Sequence, residues 1–384
     1  MSGYTTYSDN TIRTQFSTNQ ESGNIYAFAA LKDDGSVVTW GRDSFGGDSS
    51  DVSSELSSGV IQVYSSLRAF AALKDDGSVV TWGENIYGGD SSDVSSELSS
   101  GVIQIYSNEQ AFAALKDDGS VVTWGVWGKG GDSSSVSSQL SSGVIQIYSN
   151  REAFAALKDD GSVVTWGLGH VGGDSSSVSS ALSSGVIKIY SNRHAFAALK
   201  DDGSVVTWGS DLDGGNRPYF EGELSSGVKQ VFSTVEAFAA LKNDGSVFTW
   251  GNKKNGGDSS DVSSQLSSNV SHIYSTDYAF AALKGDGSVV TWGNKNYGAD
   301  SSNVSDELSA DVSKIYASHG AFAALNSDGS IIPWGDPMRG GGYNVSGWEY
   351  EDVTDICTSI DSFAGLKDDG SVIFWGGSYF TNKS

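Results

Sequence analysis

Few side chains in this 384-residue sequence could do acid–base, nucleophilic or metal chemistry, and their spacing does not bring them together. Imidazoles occur at His170, His194, His272 and His319, and the one thiol is Cys357. No acid or nucleophile recurs at a fixed distance from any histidine, so no general acid–base pair can be named. His170 and His194 stand in neighbouring copies of a repeat, but a zinc ion wants about four nitrogen or sulfur ligands, and Cys357 is remote in the chain. Carboxylates are plentiful yet repetitive. The recurring Asp-Asp-Gly, as at Asp117-Asp118-Gly119, lacks the alternating oxygen ligands of a calcium loop and reads as a hairpin turn, its glycine supplying a positive φ. The expectation is a chain that is not an enzyme, with no catalytic residue, no metal and no cofactor. A single cysteine also leaves no intramolecular disulfide.

The chemistry that remains is recognition. Aromatic rings, guanidinium groups and imidazoles can stack, hydrogen-bond and pair with partner charges. Phe45, Arg68, Tyr87, Trp127, Arg151, His170, His194, Tyr278, Tyr297 and Arg339 are the candidate binding residues, because all stand in two short segments that change between otherwise constant copies.

Those copies organise the whole chain. "AFAAL" begins at Ala27 and recurs every 42 residues to Ala321, and a ninth copy reads "SFAGL" from Ser362. Thirteen residues after the start of each copy comes a tryptophan, from Trp40 and Trp82 to Trp334 and Trp375, which accounts for nine of the eleven. In the third unit strand a is "VIQIYS" (Val102 to Ser107), strand b "AFAALK" (Ala111 to Lys116) and strand c "SVVTWG" (Ser120 to Gly125). All are rich in β-branched, alanine or aromatic residues and are bounded by turn signals. Strand b is apolar on both faces, with Phe112 and Ala114 on one and Ala113 and Leu115 on the other, so it must be covered on both. A small sheet between like neighbours, a propeller blade or a solenoid rung, meets that need. Asp132 to Leu140, where only Val136 and Leu140 are apolar, reads as a polar outer edge strand or a loop.

The order "DGSVVTWG", glycine-rich loop, Val…Leu segment, "GVIQIYS…AFAAL" resembles the repeat of the regulator-of-chromosome-condensation family, over about residues 12–376. That resemblance implies a β-propeller. The chain departs from the family in its 42-residue step, in its nine units where the family has seven blades, and in lacking the Gly-x-x-His of the family's fourth element. The family's activities are not implied: the inserted wedge and basic tail used in nucleotide exchange are missing, as is the Gly-Trp-Arg-His-Thr motif of its ultraviolet-B photoreceptor. The expected fold is thus all-β, a repeat propeller of nine units with short three- to four-stranded blades, with an open superhelical β-array as the alternative. Residues 1–384 form one repeat domain, with tandem units over 12–376 and a tail at 377–384. Gly3 to Ser8, in residues 1–11, is expected to pair onto the ninth unit as its missing outer strand and close the ring.

Copies differ mainly in the a–b turn (Ser66 to Arg68, Asn108 to Gln110 and their equivalents) and in the segment after strand c (Arg42 to Phe45, Glu84 to Tyr87 and so on). In an up-down meander both emerge at the same end, so they crowd one face, the usual place for recognition on a rigid repeat. Two units break the pattern further out and bring Tyr219 and Phe220, then Tyr343, Trp348 and Tyr350, as candidate assembly contacts. A formal charge of −24 with no basic cluster excludes nucleic-acid binding, and no stretch approaches the ~18 apolar residues of a membrane helix. No basic region followed by an apolar run opens the chain, so no Sec signal peptide is expected. The leading expectation is a non-catalytic scaffold that binds a protein or a surface glycan through the variable face. Its alternative is a structural building block of an extracellular or virion-type assembly, and an enzyme stands third. The sequence names no compartment.

Overall fold

A computed structural model describes residues 12–13, 23–215, 222–342 and 351–377. The fold is all-β: nine antiparallel sheets of three strands, each in the order a–b–c, joined by turns and short 3-10 segments. In the third unit the strands are Val102–Ser107, Ala111–Lys116 and Val121–Gly125. Phe112 faces Trp124 across the b–c ladder and Ala114 faces Val122. A register shift between Val102 and Gln104 bulges strand a and leaves Ile103 exposed. In the first unit Ile12–Arg13 pairs with Lys32 and Leu31. The remainder of the expected first strand, and Gly3 to Ser8, lie outside the described residues.

The element after strand c is not a fourth strand. Ser134–Val136 forms a 3-10 turn, because the Asp132 carboxylate accepts from the Ser134 N–H and competes with extended pairing. Leu140 then turns inward with Val136, and its carbonyl accepts from Val121 N–H. That bond and a hydroxyl contact from Thr123 to Ser133 attach the segment to the outer strand. The blades therefore have three strands.

The chain forms two compact bodies, 1–201 with 208–210, and 202–207 with 211–384. Within each, successive sheets cover the apolar faces of one another's strand b. Ala69, Ala71 and Leu73 of the second unit pack against Phe112, Ala114 and Trp124 of the third. Ala111, Ala113 and Leu115 of the third pack against Phe154, Ala156 and Trp166 of the fourth. In the second body Ala237, Ala239 and Leu241 meet Phe280, Ala282 and Trp292 in the same way. Six of these tryptophans reach back to the preceding unit, as where the Trp124 indole N–H donates to the Gly88 carbonyl at 3.1 Å. Gly88 sits at φ +97°, and a Cβ there would lie 2.5 Å from the Phe112 ring, so only glycine permits this approach.

Two rows of backbone bonds set the spacing of the units. At one end, middle residues of successive a–b turns within a body are bonded, each donating to its counterpart in the next unit. The first body has Leu67 to Glu109, Glu109 to Arg151 and Arg151 to Arg193, and the second has Val235 to Asp277, Asp277 to His319 and His319 to Ile360. At the other end the turn before strand a is wedged between b–c turns, with Val102 donating to Gly77 and Asp117 to Gly101. Asp118 accepts from the Ser120 N–H and Gly119 has φ +77°, so Asp-Asp-Gly is a hairpin turn.

Candidate functional site

The two variable segments of a unit are joined at one end of its sheet. The first residue of each a–b turn is Ser, Thr or Asn, whose side chain accepts from the N–H groups that follow and donates across to the segment after strand c. Asn108 Nδ2 reaches the Lys129 carbonyl at 2.7 Å, while its Oδ1 accepts from Gln110 and Ala111. Ser66 makes the equivalent bond to the Tyr87 carbonyl, Thr234 to Asn255, Thr276 to Tyr297 and Ser318 to Arg339. These linking side chains are buried, so turn and segment form one rigid tip.

The segment after strand c is itself a three-residue 3-10 turn ending on a left-handed glycine, and that geometry separates the candidate residues. The third residue turns inward. Phe45 is buried beneath the Arg42 and Arg68 guanidinium groups, 4.1 and 4.8 Å above its ring. Tyr87 lies under the other side of Arg68, and Tyr297 packs edge-on against Tyr278 with ring centroids 4.7 Å apart. All three are among the binding residues expected of the variable face. The outward positions are the first and second of the turn, occupied by Trp127, Ile86, Leu212 and Met338, which are 77, 63, 79 and 68% exposed. Ile86, Leu212 and Met338 were not among the sequence candidates. His170 holds the same outward position in the fourth unit and is exposed, whereas His194 is half-buried in its a–b turn.

The basic candidates are engaged with neighbouring units or with their own loop. Arg68 pairs with Glu84 at 3.1 Å, and Arg151 with the almost buried Glu109 of the preceding unit at 2.7 Å. Arg339 lies 3.4 Å from Asp336 and 3.5 Å from Asp361. His319 faces Asp277 at 3.5 Å. Burial pushes the Glu152 carboxyl up, but Lys129, Arg151 and Gln110 outweigh it and hold it below the usual range. Tyr219, Phe220, Tyr343, Trp348 and Tyr350 lie outside the described residues.

Within the first body a groove of about 970 Å³ runs between the third and fourth units. Trp127 lines it together with Asp132, Gln139, Lys158, Asp160, Thr165, Asp174 and several serines. Hydroxyl, carboxylate and ammonium groups beside an exposed indole suit a polar ligand with one apolar face. Among the described residues no group of three or more His, Cys, Asp or Glu side chains could hold a metal ion, and Cys357 is an exposed free thiol.

No protein-family model matches the chain, and no curated protein is similar to it at a significant level. The resemblance of its repeat to the chromosome-condensation family therefore rests on the residues quoted above. Among solved structures the chain is similar to Prp20p of Saccharomyces cerevisiae, at 17% identity over 60% of this chain and 71% of that one, with a TM-score of 0.35. It is similar to human WBSCR16 at 16% identity, covering 73 and 90% with a TM-score of 0.38, and to the computationally designed Ika8 protein at 15%, covering 83 and 96% with a TM-score of 0.32.

Proposed function

We propose that this chain is a non-catalytic repeat scaffold, of the β-propeller type, that holds a protein or glycan partner on the face carrying the a–b turns and the segments after strand c. The observation that carries this reading is the exposure of large apolar side chains at the tips of rigid loops. Trp127 is 77% exposed on a segment whose third residue is hydrogen-bonded to the buried Asn108. Apolar groups presented this way lose little entropy on binding and suit a recognition surface. A charge of −24 favours neutral or basic partners and, within the glycans, unsulfated and unsialylated ones. The test is a glycan array and a protein pull-down with the intact chain, repeated with Trp127→Ala and Ile86→Ser. Loss of captured partner by about tenfold or more, at an unchanged Tm, is the expected result. Full capture by both variants would remove the face from consideration.

The assembly reading has one observation in its favour. In the first body Ile61, Ile103, Ile145 and Ile187 repeat at one strand-a position and each is 55–56% exposed, and evenly spaced apolar side chains of that kind suit a self-complementary contact.

A further inference from the structure

Within each body, the Phe/Trp face of one sheet is covered by the Ala/Leu face of the sheet before it. Covered phenylalanines such as Phe70 and Phe112 are 5 and 0% exposed, covered tryptophans such as Trp82 and Trp292 are 4%, and covered leucines such as Leu73 and Leu283 are 2 and 7%. The terminal sheets leave these positions open. On the first unit Phe28 and Trp40 are 49 and 45% exposed, and on the ninth Leu366, Val372 and Phe374 are 45, 48 and 60%. The two open faces are the two halves of the junction that recurs along the chain.

Two features indicate that they are meant to be covered. The third residue of strand c is threonine in the first seven units, and in six of them its hydroxyl meets an outer serine, as Thr81 meets Ser91. In the ninth unit it is Phe374. A sheet face left to solvent would carry a polar residue there, whereas the ninth sheet gains an aromatic ring. The turn-to-turn row of backbone bonds also ends at Ile360, whose counterpart in the first unit is Ile25. Interior positions of that row include the Glu109–Arg151 ion pair and the Asp277–His319 contact beside the apolar Leu67 and Val235. Both ends hold isoleucine, Ile360 51% and Ile25 69% exposed, an apolar match for one another.

We propose that the ninth sheet of one chain is covered by the first sheet of a second copy, head to tail, in a junction built like the interior ones. Such a contact joins two different faces, so each copy that binds leaves one face of each kind open and the assembly can grow. The test uses the full chain, by light scattering and native mass measurement over a range of concentrations. Wild type should rise above monomer mass as concentration rises. Phe28→Asp and Phe374→Asp should each stay monomeric, since each spoils one face. Mixed one to one they should give a heterodimer and nothing larger, because the sound face of each meets the sound face of the other. If either aspartate variant loses Tm, Phe374→Thr, which restores the residue of the first seven units, replaces it and should weaken self-association by about tenfold. A wild type that stays monomeric throughout overturns the proposal, as does a mixture without heterodimer. Crosslinks joining residues 28 and 374 within a single monomer would overturn it too, in favour of closure of the chain on itself. None of these outcomes bears on partner capture by the loop face, which is read from Trp127→Ala.

Discussion

Trp166 shows what one repeated residue contributes. It is 2% exposed, stacks on Phe154 with ring centroids 5.2 Å apart, and donates its indole N–H to the Gly130 carbonyl. Trp166→Ala should cost ~3–5 kcal/mol, through lost burial and the cavity left behind. Trp40 makes the same stack with Phe28 but is 45% exposed, and Trp40→Ala should cost less than about a third of that. Urea unfolding followed by circular dichroism measures both, and a loss under ~1 kcal/mol at Trp166 would take the tryptophan column out of the core. This much was legible in the sequence, because a tryptophan every 42 residues has no simpler reading than a packing position. The partners of the loop residues were not. Phe45, Tyr87 and Tyr297 read as exposed because the handedness of the three-residue turn before Gly46, Gly88 and Gly298, which sends its third side chain inward, leaves no periodic signal. Arg151 read as a partner-binding cation, yet it lies 2.7 Å from Glu109, forty-two residues back. Since Glu109 is 5% exposed, Arg151→Ala leaves a nearly buried carboxylate without its guanidinium and should cost ~3 kcal/mol. In a double-mutant cycle, adding Glu109→Ala should recover more than half of that loss. Strict additivity would mean that the pair is not coupled.

At the scale of elements, strands b and c declared themselves through period-two patterning and glycine turns, and their pairing registers follow that pattern. The segment after strand c did not, because Val136 and Leu140 stand four apart among serines and fit neither a two-residue nor a sustained helical period. Its shape comes from side chain–backbone bonds instead. The b–c turns use the same chemistry: the Ser120 hydroxyl and N–H hold the Asp118 carboxyl below its ordinary value, and equivalent serines do so at Asp76, Asp160, Asp244 and Asp286. A carboxyl that binds its proton less readily folded than unfolded makes the unfolded state take up protons first. The turn contribution is therefore fully present above the ordinary aspartate range and is lost as pH falls below about 4. Tm should decline from pH 5 towards pH 3, and the triple change of Asp76, Asp118 and Asp160 to Asn should flatten that decline. An identical acid slope in the triple variant would show that these turns do not report on folding.

For the molecule as a whole, the repeat and its β class could be read from the sequence. The behaviour of its ends could not, since it depends on which faces of the first and ninth sheets stay open. Net charge acts at the same scale. Every b–c turn places acidic groups at one end of its sheet, and the backbone bond from Asp117 to Gly101 and that from Val102 to Gly77 bring successive turns together. With 47 acidic against 23 basic residues, compaction concentrates like charge that the unfolded chain disperses. The screening length is about 30 Å at 0.01 M salt and about 3 Å at 1 M, so raising sodium chloride across that range should relieve the repulsion between turns. If the relief is ~1–2 kcal/mol, Tm should rise by about 1–2.5 °C. The measurement belongs in Phe374→Thr at low protein concentration, because screening also favours association of the terminal faces, and assembly would raise Tm by mass action. Choline chloride should act like sodium chloride, since the effect needs ionic strength and no particular cation. A Tm that falls with salt, or that answers to only one of the two cations, would contradict repulsion as the cause.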